Sequence, residues 1–523
     1  MALANFFDKA ALAAADVLRG FNSAAFAAAL ETRTVGIAFD GRAAETDEGR
    51  VALELATDLF ARLYPRLALL PNGVEAGRMT PALASRALAI NPELEIVQHQ
   101  EGLSVVLCVG TTVAPAGVPT VYVGSQGWIT RVSSGQPVGC GDSSNPLGAA
   151  AAACIGAANV FRFLFREQLP PGNGVFDEDR SFSLVDFQSG QGGAGDPSLN
   201  RVVLSDTTLV GNGAIGNAVI WTLARVPGAT GELNIVDAES VELSNLQRYV
   251  LATQSSIDQS KVSLGENALK GSGIVVNAFA TTWSGFLEQR NDWNLQRVVV
   301  AVDNVGDRRL IQGALPRWIA NAWTQPGDLG ISRHAHFGES ACLTCLYFPE
   351  GQIESEDRIV ANVLNLPGEF MLIRNLLYTG APIGRDFILR IAQSNGVDPT
   401  ELLRFEHEPL RAFYSEAVCG GMMMKLGATA RPGAGREVPI AFQSALAGVL
   451  LAAEVIVEAN RLRVGDLPTT TRINLLRPLP HELGVPVARK EKCICSDPEY
   501  TRMYHSKWDT ATPAREKAAP KAS

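Results

Sequence analysis

The chain reads as an α/β protein built on two mainly parallel sheets, and three observations carry that reading. Short apolar, β-branched runs alternate with helical ones along most of the 523 residues. The order of elements starts again after a Gly/Pro/Asp-rich stretch at 170–196. Each pass closes on a long helix of small residues, 145–165 and then 441–459. Hydrophobic residues make up 46% and charged ones only 19%, which suits large buried cores and excludes global disorder.

In the first pass, TVGIAF at 34–39 predicts a strand, 47–63 and 81–90 predict helices, and VVLCV at 105–109 predicts a buried strand. Residues 120–132 predict strand–turn–strand before the late helix at 145–165. In the second pass, a strand at 207–210 runs into a glycine turn and a helix ending near Arg225. ELNIV at 232–236 and VVVAV at 298–302 predict strands, with a helix at 260–269 between them. Residues 332–347 predict strand–turn–strand before the helix at 441–459. This order implies an internal duplication. The copies differ where chemistry would sit: AVDNV at 301–305 faces CVGTT at 108–112, so Gly110 stands in place of Asp303. No glycine loop follows the first strand, which implies a first copy without nucleotide chemistry.

The net charge of −9, from 45 basic and 54 acidic residues, excludes a general nucleic-acid binder. Asp8, Lys9, Asp16 and Arg19 break the N-terminal apolar pattern, so no signal peptide is expected. The apolar runs 148–161 and 445–457 fall short of the ~20 residues that span a bilayer. A cytoplasmic protein with no membrane partner is expected. Eight cysteines are too few for a disulfide scaffold, and four of them sit in close pairs, which in a reduced compartment points to metal.

Gly211, Gly213 and Gly216 lie in GNGAIG between a strand and a helix, where glycines permit a tight turn and close approach of phosphate to backbone N–H groups. Asp237 follows at the end of the next strand, placed to accept from ribose hydroxyls. Alone, this pair serves NAD as well as ATP. Asn245, Arg248 and Lys261 come next, and Asp303 ends a buried strand. Two cations and a further carboxylate suit a triphosphate: Arg248 and Lys261 for phosphate oxygens, Asp303 for Mg²⁺.

These residues resemble the ThiF/MoeB/ubiquitin-activating-enzyme superfamily. GNGAIG, IVDAESVELSNLQR, the lysine thirteen residues beyond Arg248 and VVVAVDN match its motifs in order and spacing. The resemblance covers about 204–459, and loosely the first half. It implies tandem Rossmann-like adenylation domains, one inactive and one active, docked as an intramolecular pseudo-dimer. It also implies ATP and Mg²⁺ as cofactors and adenylation of a protein's C-terminal carboxylate. Asp237 would hold the ribose, Asn245, Arg248 and Lys261 the phosphates, and Asp303 the Mg²⁺. Tyr249 stands where many relatives have Gln. A second arginine, which relatives donate across a pseudo-dimer, has only Arg19 and Arg33 as candidates.

Cys342 and Cys345 (CxxC) with Cys493 and Cys495 (CxC) supply four thiolates for a structural Zn²⁺ that clips the far C-terminal segment to the second half. Cys419, in EAVCGGMMM, stands where relatives often carry a reactive cysteine in a crossover loop, and would take the acyl group as a thioester. Cys108 and Cys154 read as core. His334 and His336 share one face of a predicted strand, either a polar face or a metal pair, and His407 has no evident partner.

The layout expected is an inactive adenylation-like domain at 1–195, the first part of the active domain at 196–350 and a helical insertion at 351–418. The crossover loop, late helix and second cysteine pair occupy 419–500, and a flexible tail 501–523. The layout resembles bacterial enzymes that activate ubiquitin-like proteins, including those of Bil/Bub-type antiviral defence operons. A ubiquitin-like substrate and a conjugating-type enzyme are then the expected partners. Sulfur-carrier adenylation, an NAD-dependent oxidoreductase and a non-catalytic scaffold are the rival readings.

Overall fold

Runs of Val, Ile and Leu that are apolar at every position need cover on both faces, and the sheets provide it. In the computed structural model, which describes residues 3–98, 101–188, 197–199, 201–290, 292–349, 355–418, 422–425 and 438–509, two sheets form. The first contains β1 (Thr34–Asp40), β2 (Arg66–Asn72), β3 (Glu95–Val97), β4 (Leu103–Val109), β5 (Thr120–Gln126), β6 (Ile129–Ser133) and β7 (Arg180–Ser183). Their order is β3-β2-β1-β4-β5-β6-β7, parallel through β5 and antiparallel for β6 and β7.

The second sheet repeats this arrangement. It contains β8 (Val202–Val210), β9 (Ala229–Val236), β10 (Gly273–Phe279), β11 (Arg297–Val300), β12 (Trp318–Gln325), β13 (Asp328–His334), β14 (Thr470–Ile473) and β15 (Gly484–Val485). The order β10-β9-β8-β11-β12-β13-β14 matches the first sheet strand for strand, with β15 added at the edge. The strand directions agree as well. The late helices Leu147–Leu164 and Ala441–Ala459 each lie between the last two matched strands. The duplication expected from element order is therefore present in the topology, and the fold is two tandem Rossmann-like units.

Two expectations misplace an element. Residues 501–508, expected to open a flexible tail, belong to the helix Pro498–Trp508, which buries Tyr504 and Trp508. The hairpin expected at 332–347 is instead β12 and β13, joined at Pro326-Gly327, and 343–346 is a helical turn. The β12 sequence WIANAWTQ is buried over its first six residues but mixes Trp, Ala and Asn, so it lacks the β-branched signature. His334 closes β13, so His336 lies beyond the strand. Buried His334 pairs through Nδ1 with the Ala341 carbonyl at 2.8 Å and through Nε2 with the Ser332 hydroxyl at 2.9 Å. Burial pushes its pKa down to about 4, so it is a neutral structural residue.

The two helices apolar enough to cross a membrane are 94% buried in the protein, where they act as the central core helices. They pack against each other, with Phe161 and Phe442 ring centroids 5.6 Å apart. Gly448 allows Ala441–Ala459 to cross the helix Ala214–Leu223 closely, since a Cβ there would fall 2.5 Å from the Ile215 carbonyl oxygen. A single core runs through both halves. A charged pair crosses the same interface: Arg225 donates to Glu54 at 2.8 Å, while Arg86 forks onto Asp58 within the first half at 2.6 Å per contact. The insertion forms a separate helical cluster around Ile373, Ile388 and Phe413.

Candidate functional site

Three neighbouring strands end together at one edge of the second sheet, the edge where α/β folds take ligands. β8 delivers the glycine loop, β9 delivers Asp237, and β11 leads through Ala301 and Val302 to Asp303. Gly211 has φ +90°, and a Cβ on it would sit 2.8 Å from the Ala301 carbonyl oxygen. A Cβ on Gly216 would meet the Gly211 carbonyl oxygen at 2.1 Å, so the helix Ala214–Leu223 starts tight against the loop. Gly213 is the N-cap of that helix, and a Cβ there would have only the Tyr249 hydroxyl near it, at 3.6 Å. Steric need explains Gly211 and Gly216; Gly213 leaves the approach to the helix N-terminus clear.

Asn212 shapes the loop. Its backbone N–H donates to Asp237 Oδ2 at 2.7 Å, and its side-chain amide donates to the Lys261 carbonyl at 2.6 Å. Asp237 Oδ1 also accepts the Glu239 N–H at 2.9 Å, so two amides orient the carboxylate and leave further lone pairs for a ligand. Burial raises the Asp237 pKa, against the opposing pull of Lys261 and the two amides.

Both predicted cations reach this edge. Arg248 and Lys261 lie over the ring of buried Tyr249, with the guanidinium carbon 5.5 Å and the ammonium 5.4 Å from its centroid. Arg248 Nη1 is buried and has no hydrogen-bond partner among the described residues. Lys261 is 5% exposed and bonds Glu239 at 2.5 Å. Burial works against its charge, but Tyr249, Asp237 and Glu239 outweigh that and hold its pKa above the usual lysine value. Asn245 is engaged in a reciprocal cap of the 3-10 turn Leu243–Gln247, where its Oδ1 accepts the Glu242 N–H at 3.1 Å. Among the described residues its amide nitrogen donates to Ser244 Oγ, at 3.4 Å.

The Asp303 loop is held by residues that sequence reasoning missed. Asn304 caps the helix Val305–Gly313 by accepting the Gly306 N–H at 2.6 Å. Buried Arg308 donates to the Val302 carbonyl at 2.5 Å and to Asn321 Oδ1 at 3.1 Å. Burial lowers its pKa, while Tyr347, Asp303 and Asp307 act in the other direction. Its only sequence signal was a cation five residues after Asp303, which looks like an ordinary helix-surface charge.

The two candidate second arginines flank the C-terminal end of the helix Leu147–Leu164. Arg33 precedes β1 and donates to the Leu164 carbonyl, with its guanidinium 5.0 Å from the Phe165 ring centroid. Arg19 is exposed, and its backbone N–H binds the Gln168 carbonyl. Cys419 lies outside the described residues.

The four predicted metal-site cysteines do converge. All four are buried, and their Sγ atoms lie within 4.8 Å of one another. Cys342 is 3.5 Å from Cys493, and Cys345 is 3.4 Å from Cys495. Zn–S bonds of about 2.3 Å in a tetrahedron place sulfurs about 3.8 Å apart, so the donor set fits such an ion. The cluster anchors the helix Pro498–Trp508, whose Lys507 donates to the Ala314 and Leu315 carbonyls at 2.9 and 3.1 Å. That cation caps the C-terminal end of the helix whose N-terminus adjoins Asp303.

Comparison with known proteins agrees with this geometry. Residues 190–458 match the ThiF family, and residues 38–166 match the family described as Prokaryotic E2 family C. The uncharacterized protein y4jF of Sinorhizobium fredii (strain NBRC 101917 / NGR234) is 44% identical over 510 residues, 97% of this chain and 98% of its own. The adenylyltransferase and sulfurtransferase MOCS3-1 of Zea mays is 28% identical over 186 residues, 34% of this chain and 37% of its own. Among solved structures, E. coli MccB with ATP is 16% identical, covers 57% of this chain and 68% of that one, and has a TM-score of 0.34. The ThiF match spans the glycine loop, both cations, Asp303 and the late helix, and on that ground the chain belongs to the ThiF family.

Proposed function

We propose that the second half adenylates the C-terminal glycine of a ubiquitin-like protein and that Cys419 then receives the acyl group. The observation that carries the first step is the convergence of Arg248 and Lys261 over one aromatic ring beside the glycine loop, with Arg248 Nη1 buried and unpartnered. A dinucleotide of modest charge has no use for two such cations, whereas a triphosphate satisfies both.

The glycine loop and the start of the helix Ala214–Leu223 would receive phosphate oxygens, Asp237 the ribose hydroxyls, and Asn245 Nδ2 a further phosphate oxygen. The substrate carboxylate attacks the α-phosphorus, an acyl–phosphate bond forms, and pyrophosphate leaves. Arg248 and Lys261 offset the charge that gathers on the leaving oxygens. Mg²⁺, which Asp303 would hold, supplies charge neutralisation on the phosphates. To bind phosphate, Lys261 exchanges its contact with the largely exposed Glu239 for one with the ligand. The Cys419 thiolate then attacks the acyl carbon, a thioester forms and AMP departs. A conjugating-type enzyme's cysteine is the proposed next acceptor.

In the first half, the corresponding edge is closed from within, which supports an inert copy. Asp40, at the end of β1, accepts the N–H groups of Ala43 at 2.8 Å and Thr111 at 2.5 Å, taking up backbone donors with its own carboxylate. Gly110 packs against it, since a Cβ there would lie 2.7 Å from Asp40 Oδ1. The thiols of this half are buried as well: burial pushes both Cys108 and Cys140 up to about 12, and raises Cys154 too. None of these three is poised as a thiolate nucleophile. The residues 38–166 thus support the active half structurally.

The test incubates the protein with ATP, Mg²⁺ and a glycine-ended ubiquitin-like protein and resolves the products on non-reducing gels. A thiol-sensitive adduct is expected in the wild type. Cys419→Ala should abolish it while ATP–pyrophosphate exchange stays within about threefold of wild type. Exchange with no adduct in the wild type would favour adenylation for sulfur transfer and remove Cys419 from the mechanism.

A further inference from the structure

The inert half reaches into the active half's phosphate-binding segment through one buried side chain. Arg62 caps the helix Asp47–Ala61 of the first half and is 1% exposed. Its Nη1 donates to the carbonyl of Leu246 and its Nη2 to that of Ala252 at 2.9 Å. Those two carbonyls bracket Arg248 and Tyr249. Leu246 belongs to the 3-10 turn that Asn245 caps, and Ala252 closes a further turn, its N–H bonding the Tyr249 carbonyl at 2.9 Å.

Burying a guanidinium is costly unless its donors are used, and here they are spent on main chain rather than on a carboxylate. Burial lowers the Arg62 pKa to about 10, with Asp58 acting against that and Arg86 adding to it, so the group stays charged at neutral pH. Its remaining Nε, together with Tyr64 Oη and Gln247 Oε1, has no hydrogen-bond partner among the described residues. All three residues line a cavity of about 10 Å³ between the halves. The fork therefore grips the segment on both sides of Arg248, whose side chain is half-buried with Nη1 uncommitted.

We propose that Arg62 is a positioning residue for adenylation: it holds the 246–252 segment so that Arg248 is presented to phosphate before ATP arrives. This gives the inert half a task in catalysis that needs no ligand contact of its own. Ordering the segment in advance removes that entropic cost from binding. A lysine could reach only one of the two carbonyls at a time, whereas the planar fork reaches both. The inference rests on the reading of Arg248 as a phosphate ligand.

The test combines Arg62→Gln and Arg62→Lys with Arg248→Ala in a double-mutant cycle, reading affinity for a fluorescent ATP analogue by equilibrium titration. Arg62→Gln is expected to weaken binding about tenfold and Arg62→Lys about threefold when Arg248 is present. In the Arg248→Ala background, either change should cost less than about twofold. Amide exchange at 246–252 in the ligand-free protein should quicken in both Arg62 variants, with exchange in β8 and β11 unchanged. Equal losses with and without Arg248, or affinity and amide exchange both at wild-type levels, would overturn the inference. If Arg62→Gln does not fold, the lysine variant carries the same cycle. A wild type that binds no nucleotide would sink the adenylation reading itself, a result distinct from additivity in the cycle.

Discussion

Asp303→Asn is expected to lower ATP–pyrophosphate exchange about 10³-fold while leaving the fold intact. The substitution keeps side-chain shape and removes the charge that would hold Mg²⁺. Groups other than that carboxylate also hold the loop around it. Arg308 holds the Val302 carbonyl, Asn304 caps the following helix, and buried β11 fixes the approach. Circular dichroism and the thermal midpoint should therefore match wild type closely. Exchange above about a tenth of the wild-type rate would remove Asp303 from the machinery and leave the cations acting alone.

Loss of the four-cysteine cluster should produce the largest change in stability. The purified protein is expected to carry about one Zn²⁺ per chain by metal analysis. Chelation, or Cys495→Ser, should lower the thermal midpoint by about 5–10 °C, since a structural metal site contributes directly to folding free energy. The effect should start at the C-terminal segment. Without the clip, the helix Pro498–Trp508 is held by its apolar packing and by contacts such as those of Tyr504, Lys507 and Trp508 with carbonyls at Ala314–Arg317 and Ala335. Amides across 498–508 should exchange fastest, followed by the C-terminal end of the helix Val305–Gly313. A metal-free protein of undiminished stability would refute the zinc assignment.

Much of the fold is legible in the sequence where burial is complete. The strands around VVLCV and VVVAV are apolar at every position, the two small-residue helices are apolar over most of their surface, and both have few other places to go. The duplication is legible through element order, because the order of strands and helices outlasts the identity of their residues. β12 is not legible in the same way: its buried Trp, Ala and Asn lack the β-branched signature, and Asn321 is there to bond Arg308 and Ser332. The short edge strands β7 and β15, and β14 beside the latter, depend on partner strands.

The candidate site divides along the same line. Gly211, Gly216 and Asp237 are set by local backbone needs, so a spacing pattern finds them. The cysteine pairs are found because ligand chemistry tolerates few residue types. Arg62 and Arg308 escape such a reading because their partners are carbonyl oxygens, which every residue has. For Arg62 those carbonyls lie across the interface between the halves and become neighbours only after docking. Arg33, a candidate for the second arginine, clamps the Leu164 carbonyl, again a main-chain partner that no residue pattern announces.

The central claim is that the second half uses ATP to activate a carboxylate, and incorporation of labelled pyrophosphate into ATP tests it most directly. The account predicts exchange that requires both Mg²⁺ and a glycine-ended ubiquitin-like protein, and that falls at least about 100-fold in Arg248→Ala. Tight NAD binding with no exchange in the presence of that partner, or exchange indifferent to Arg248, would contradict it.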